Sequence, residues 1–388
     1  MIGRILAARA LRSFADGFIS VVLPAYLLAL GLGTLEVGFI STATLLGSAC
    51  STLAVGRWGH RFSIRRLMLA ASLLMLATGV GFAGISSFWP LLLVAFVGTL
   101  NPSSGDASVF MPLDHTMLAT APDRTAVFAR YSFTGSIAGA VGALASGMPD
   151  YVHLGRLEAL RLMFLLYAAV GVAVWFLYRG LPDPKVGESP APVALGPSRG
   201  IVLRLAALFS IDSFAGGLVL NSLLALWLFE RFGMSLAAAG AFFFWSGLLS
   251  ACSQLAAGPL ARRIGMVNTM VFTHIPSSLF LIAAALSPDL HLVLGFLLGR
   301  ALLSQMDVPA RGAFVMSVVT PAERPAAASF TAVPRSLASA LSPSLTGAMF
   351  AAGAMAAPLV ACGVLKIAYD IALYTAFRRV EARSQAPA

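Results

Sequence analysis

Ser48-Ala49-Cys50-Ser51-Thr52-Leu53-Ala54-Val55-Gly56-Arg57-Trp58-Gly59-His60-Arg61 returns later in the chain as Ser250-Ala251-Cys252-Ser253-Gln254-Leu255-Ala256-Ala257-Gly258-Pro259-Leu260-Ala261-Arg262-Arg263, at one constant offset. In each copy an apolar run ends in a short basic turn, and another apolar run begins at once. Self-similarity at a period near half the chain predicts two homologous halves rather than a solenoid of short repeats.

The surroundings of the two copies set the class. With 59% hydrophobic and 11% charged residues over 388 positions, the chain has more apolar surface than a soluble domain buries, so it reads as a membrane protein. The net charge of +10 is carried almost wholly by arginine, since Lys185 and Lys366 are the only lysines. These charges lie scattered in turns between apolar runs. That excludes a nucleic-acid stripe and fits the anchoring of loops on one side of a bilayer. Cys50, Cys252 and Cys362 sit in apolar runs without metal-ligand spacing and read as small core residues. The first run carries Asp16 and no small-residue cleavage site, so it is expected to stay as a helix and not act as a signal peptide.

A helix that crosses the hydrocarbon needs about 20 mostly apolar residues. Runs of that kind fall near 6–31, 34–56, 67–86, 88–120, 125–147 and 157–178, then near 202–229, 234–257, 266–287, 290–319, 326–350 and 355–377. Between the two sets lies a polar, proline-rich stretch from Gly180 to Gly200. The expected organisation is therefore an all-α integral membrane protein of twelve spans: a six-helix bundle over 1–179, a cytoplasmic linker over 180–201, and a second bundle over 202–388. Arg57, Arg61, Arg65, Arg66, Arg124, Arg262, Arg263, Arg324, Arg378 and Arg379 collect on one side, against Arg156 and Arg231 on the other. The positive-inside rule then places both termini and the linker in the cytoplasm.

The repeat extends past its best-matched copy. Thr120-Ala121-Pro122-Asp123-Arg124 answers Thr320-Pro321-Ala322-Glu323-Arg324, Asp16 answers Asp212, and Asp106 answers Asp307 with one residue of slippage. Two six-helix halves with corresponding helices around one cavity are a transporter architecture. Taken together, these motifs resemble the major facilitator superfamily. The family's glycine-started basic loop between the second and third spans is matched by Gly56 through Arg66, and again by Gly258 through Gly265. Met306-Asp307-Val308-Pro309-Ala310-Arg311 in the tenth span is also similar to family members. The resemblance implies the twelve-span fold and assigns Gly56, His60, Arg61, Gly258 and Arg263 to a gating loop. It says little about cargo.

Two departures from the family pattern matter. His60 and Arg262 stand where the loop normally carries an aspartate that helps lock the outward-facing form, so gating here is either weaker or pH-sensitive through His60, or His60 is a plain solvated loop residue. The antiporter signature of the fifth span is partial: Gly135, Gly139 and Gly142 are present, but Ala140 replaces the proline. Small residues at that spacing also let helices pack closely, whatever the cargo.

Charges inside spans are costly and mark candidate sites. Arg12 and Asp16, Asp307 and Arg311, and Lys366 and Asp370 are each spaced to share one helix face, which allows self-compensated pairs with a structural role. Asp106, Asp212 and Arg300 have no such neighbour and lie near mid-membrane on spans four, seven and ten, where low dielectric favours the neutral acid. Asp106 and Asp212, with Asp16 and Asp307 behind them, are the proton-coupling candidates; the alternative is a fixed pair with Arg300 or Arg311. Arg335 is expected to anchor the cytoplasmic end of its helix. Asn101-Pro102-Ser103-Ser104-Gly105-Asp106 predicts a kink in the fourth span. Asn101, Ser103, Ser104, Asn221, Arg300, Gln305 and Arg311 are the substrate-cavity candidates, and His274 is a further polar span residue.

The expectation is thus a secondary transporter of the inner membrane that moves a small molecule by alternating access, most simply a proton-coupled efflux antiporter working as a monomer. Uptake or uniport of an organic anion, and a non-transporting membrane receptor that keeps the fold, remain alternatives. A divalent-metal exporter built on Asp106, Asp114 and His115 is disfavoured by the spacing of the two acids and the lack of a His-rich loop. No Gly-rich nucleotide loop and no nucleophile-base set is visible, so neither an ATP-driven pump nor an enzyme is expected. The same reading calls for no cofactor and no bound metal.

Overall fold

The computed structural model describes residues 1–103, 108–119, 123–182, 195–320 and 323–384. Within them the helices are α1 (Ile2–Ala29), α2 (Thr34–Trp58), α3 (Ile64–Gly84), α4 (Phe88–Val97), α5 (Phe110–Leu118), α6 (Arg124–Ala145), α7 (Arg156–Arg179), α8 (Arg199–Gly217), α9 (Asn221–Phe232), α10 (Leu236–Ile264), α11 (Met266–Leu286), α12 (Leu290–Leu303), α13 (Asp307–Ser317), α14 (Arg324–Ala351) and α15 (Ala357–Ser384). Pairing α4 with α5, α8 with α9 and α12 with α13 groups them into the twelve expected spans, six in each half of the chain. Nine stretches among the described residues are long and apolar enough to cross a bilayer on that measure alone. Large apolar side chains on them are left bare, as with Leu255 (66% exposed) on α10 and Leu286 (65% exposed) on α11, which suits contact with lipid.

Three spans are broken rather than continuous. The kink expected in the fourth span is a full interruption: α4 stops at Val97, and Asn101 Oδ1 accepts hydrogen bonds from Ser103 N at 3.1 Å and Ser103 Oγ at 2.7 Å, closing a local turn. Such a turn offers the backbone an alternative to helix. Spans seven and ten, expected as continuous runs, also break, after Gly217 and after Leu303. At the first of these, a Cβ on Gly217 would collide with Ser342 Oγ and the Ser339 carbonyl, so α8 and α14 approach backbone to backbone. The N-terminus of α9 has its Ser222 N–H satisfied by the Pro102 carbonyl at 3.0 Å. The interruption in span four thereby supplies the acceptor that α9 needs.

The duplicated turns differ in detail. In the first copy a 3₁₀ turn over Gly59–Arg61 follows α2, and Ser63 caps α3 by accepting from Arg66 N at 3.4 Å. In the second copy α10 runs on to Ile264, and the whole turn is Gly265, whose φ of 92° is open to glycine and strained for other residues.

The chain divides into two compact units. The first comprises Met1–Ser189, Leu220–Gly247 and Pro343–Gly353. Its core is aromatic: Phe82 stacks on Phe164 at 5.2 Å, and Tyr26 lies 4.6 Å from Phe164 while donating to the Phe82 carbonyl. A Cβ on Gly142 would collide with the Phe14 carbonyl, so the small residues of the fifth span serve close packing of α6 on α1. The second unit comprises Pro190–Val219, Leu248–Ser342 and Ala354–Ala388. Phe209, Met270, Phe314, Tyr369 and Phe377 fill its core.

Candidate functional site

In the second unit a set of ionisable side chains from four helices meets within the apolar core. Asp212 projects from α8 and is 5% exposed. Its Oδ1 takes a hydrogen bond from Lys366 Nζ of α15 at 2.6 Å, and its Oδ2 takes one from Arg311 Nη1 of α13 at 2.9 Å. Arg311 Nη2 turns to Asp307 Oδ2 at 3.4 Å, and the guanidinium stands 5.6 Å from the Phe209 ring. His274 of α11 lies beside Lys366, with Nε2 at 3.3 Å from Nζ, and its Nδ1 meets the Asp370 carboxylate at 3.1 Å. Removing either cation would leave this buried carboxylate less compensated, so the arrangement is sensitive to any group that binds or leaves.

The sequence misassigned part of this set. Lys366 and Asp370, spaced for a pair on their own helix, are divided between α8 and α11 instead, because Asp212 and His274 reach them from the facing helices. Arg335 does not tie down the end of α14; its Nε donates to Ser213 Oγ at 3.0 Å, next to Asp212 in sequence. The Asp212–Arg311 pair weighed as an alternative is present, together with the Asp307–Arg311 pair. Arg300 has no ion pair among the described residues; its carbonyl accepts from Ser304 N at 2.9 Å and from Ser277 Oγ at 3.5 Å.

The first unit holds a separate pair. Arg12 of α1 is bonded to Asp114 of α5, and Asp114 also accepts from Tyr131 at 2.8 Å and from Tyr178 at 3.0 Å. Arg12 lies over the Phe110 ring at 4.2 Å. Asp114 is fully buried and both oxygens are engaged, which leaves it poorly placed to ligate a metal. The spacing of Arg12 to Asp16 concealed this contact across 102 residues. Asp16 lies near enough to Tyr167 to interact with it electrostatically.

The remaining candidates are spread over both units. Asn101 is buried and spends its oxygen on Ser103, Asn221 opens α9, and Gln305 lies in the break before α13. Asp106 and Ser104 fall outside the described residues, as does the side chain of His60. Of the residues expected to form a gating loop, a Cβ on Gly56 would meet nothing within 4 Å, and Arg61 is exposed. Gly258 and Arg263 border a cavity of about 780 Å³ together with Arg262, Asn268, Pro309 and Arg378.

The profile of the Major Facilitator Superfamily matches residues 5–300. The chain belongs to the Major Facilitator Superfamily. Over 96% of its length, and 93% of the relative's, this superfamily member is 23% identical to an uncharacterized membrane protein of Saccharomyces cerevisiae. The crystal structure of a D-xylose-proton symporter superimposes with a TM-score of 0.78 at 14% identity, covering 100% of both chains. That of the nucleoside transporter NupG gives 0.75 at 14% identity, covering 97% of this chain and 99% of its own. At such identities the structural likeness carries the fold, and with the family match it makes the chain a multi-pass membrane transporter with the alternating-access fold.

Proposed function

We propose that this transporter is a proton-coupled efflux antiporter of the inner membrane, with both termini in the cytoplasm and one chain as the working unit. The halves 1–179 and 202–388 would rock against each other, with the loops at Gly56 and Gly258 as gates. The observation that carries the reading is Asp212, a buried carboxylate held at 2.6 Å by Lys366 and at 2.9 Å by Arg311. Protonation of Asp212 removes the charge that draws α8, α13 and α15 together, and so shifts the balance between the two facing states. Cargo that favours the deprotonated form then competes with the proton, which is the condition for exchange. Asp106 is the corresponding acid proposed for the fourth span.

A second reading, uptake or uniport of an organic anion, is favoured by Arg300 and Arg335. Neither has an acid within ion-pair distance among the described residues, which leaves both available to a carboxylate.

The test is a proteoliposome assay with an imposed pH gradient and a panel of lipophilic cations, amino acids, sugars, nucleosides and organic acids. Proton release provoked by one class, driven against that compound's gradient, supports exchange. Movement of an organic acid unaffected by the pH gradient supports the second reading.

A further inference from the structure

We propose that His274 and Asp370 together form a proton-binding site on α11 and α15, and that Lys366 passes its state to Asp212. The role in coupling rests on the reading above; the binding of the proton does not.

With Asp370 ionised, the geometry places the hydrogens of the neutral imidazole. Asp370 is fully buried and His274 is 3% exposed, and a carboxylate 3.1 Å from Nδ1 requires that nitrogen to carry the proton. Nε2 therefore presents its lone pair, and the ammonium of Lys366, at 3.3 Å, is the donor that faces it. Lys366 is shared in this state between His274 Nε2 and Asp212 Oδ1.

One added proton changes each of these relations. It forms an N–H bond at Nε2, with no other bond made or broken and no electron transferred. The imidazolium and the ammonium are then two cations 3.3 Å apart, and Nε2 has lost its acceptor lone pair. Lys366 is displaced toward Asp212, while the new N–H points at the same carboxylate, whose Oδ1 lies 3.9 Å away. Asp212 now feels a third positive charge beside Lys366 and Arg311, and its hold on Arg311 weakens as the hold of Lys366 tightens. A proton taken up on α11 is thus read on α8 without having to reach Asp212 itself.

The groups packed around His274 agree with such a role. From α15 come Lys366, Asp370 and the Tyr369 ring at 6.2 Å; from α8 comes Asp212; behind it stand Arg311 and Asp307 of α13 and Arg335 of α14. Three carboxylates face three cations, and of these side-chain types the imidazole is the one whose charge ordinarily changes near neutral pH. A scaffold that only needed to hold α15 against α8 would be complete with Lys366 and Asp212.

The experiment is a titration of the full chain, labelled with [15N]histidine in lipid nanodiscs, following the imidazole nitrogens by NMR with no cargo present. His274→Gln identifies the signal. The inference expects His274 to take up one proton between about pH 5 and 8. Asp370→Asn should move that midpoint to lower pH and Lys366→Met to higher pH, each by about one unit or more. Loss of structure would instead send both variants to the same free-imidazole midpoint. A His274 that stays in one state across the range, or variants that move together, overturns the inference. Should either variant fail to fold, the wild-type titration decides alone. Titration of His274 in a chain that moves no protons in liposomes would keep the site and remove the antiporter, so the two failures are separable.

Discussion

Lys366 Nζ lies 2.6 Å from Asp212 Oδ1 and joins α15 to α8 inside the second unit. The first unit makes a comparable link between Arg12 of α1 and Asp114 of α5. In the order of spans, the first half pairs an arginine on span one with an acid on span four. The second half pairs an acid on span seven with an arginine on span ten, Asp212 with Arg311. The duplicated halves therefore keep the linkage between the same two spans and exchange its charges. Around its linkage the second half also gathers Lys366, His274 and Asp370.

Removing the carboxylate of Asp212 strands buried cations. Asp212→Asn is expected to destabilise the protein by about 3–5 kcal/mol, and adding Lys366→Met should recover a substantial part of that by deleting one stranded charge. Thermal unfolding in detergent of the two single variants and the double variant measures this. A double variant whose loss equals the sum of the singles would show that the two groups do not interact.

The second-copy turn depends on backbone geometry and the first-copy glycine does not. Gly265 has φ 92°, and its replacement by alanine should cost about 1–3 kcal/mol. Gly56→Ala should cost nothing and raise stability by up to about 1 kcal/mol, since Gly56 lies within α2 and a Cβ there meets nothing within 4 Å. Equal melting temperatures for the two variants would contradict this.

The turn before α14 carries an acid-sensitive contact. Glu323 accepts from Ser198 Oγ and Thr320 Oγ1, each at 2.6 Å, and from Gly196 N, and these hydrogen bonds hold its carboxyl down at about 2. A carboxyl held below its ordinary 4.5 stabilises the fold above that value and loses the contribution as pH falls toward 2. Wild-type stability should accordingly fall across that window, while Glu323→Gln starts lower and falls less. Parallel acid curves for the two proteins would be the contrary result.

The helical spans were legible because they rest on composition and local period. The same local reading placed the interruption of span four, where Asn101, Pro102 and Ser103 announce it. It did not place the breaks in spans seven and ten, where apolar character runs on through Gly217 and Leu303 and only packing decides. Charge pairs were the least legible. Spacing on one helix suggested Lys366 with Asp370, yet the partners that win lie 154 and 96 residues away, on helices brought alongside by the fold. Lys366 had one visible signal, as the only lysine set in an apolar run.

The most direct test of the account takes whichever cargo class moves protons in wild-type proteoliposomes and repeats the assay with Asp212→Asn. The account predicts that cargo still exchanges across the membrane at equal pH, while accumulation driven by the pH gradient is lost. An Asp212→Asn protein that accumulates cargo as the wild type does would contradict it.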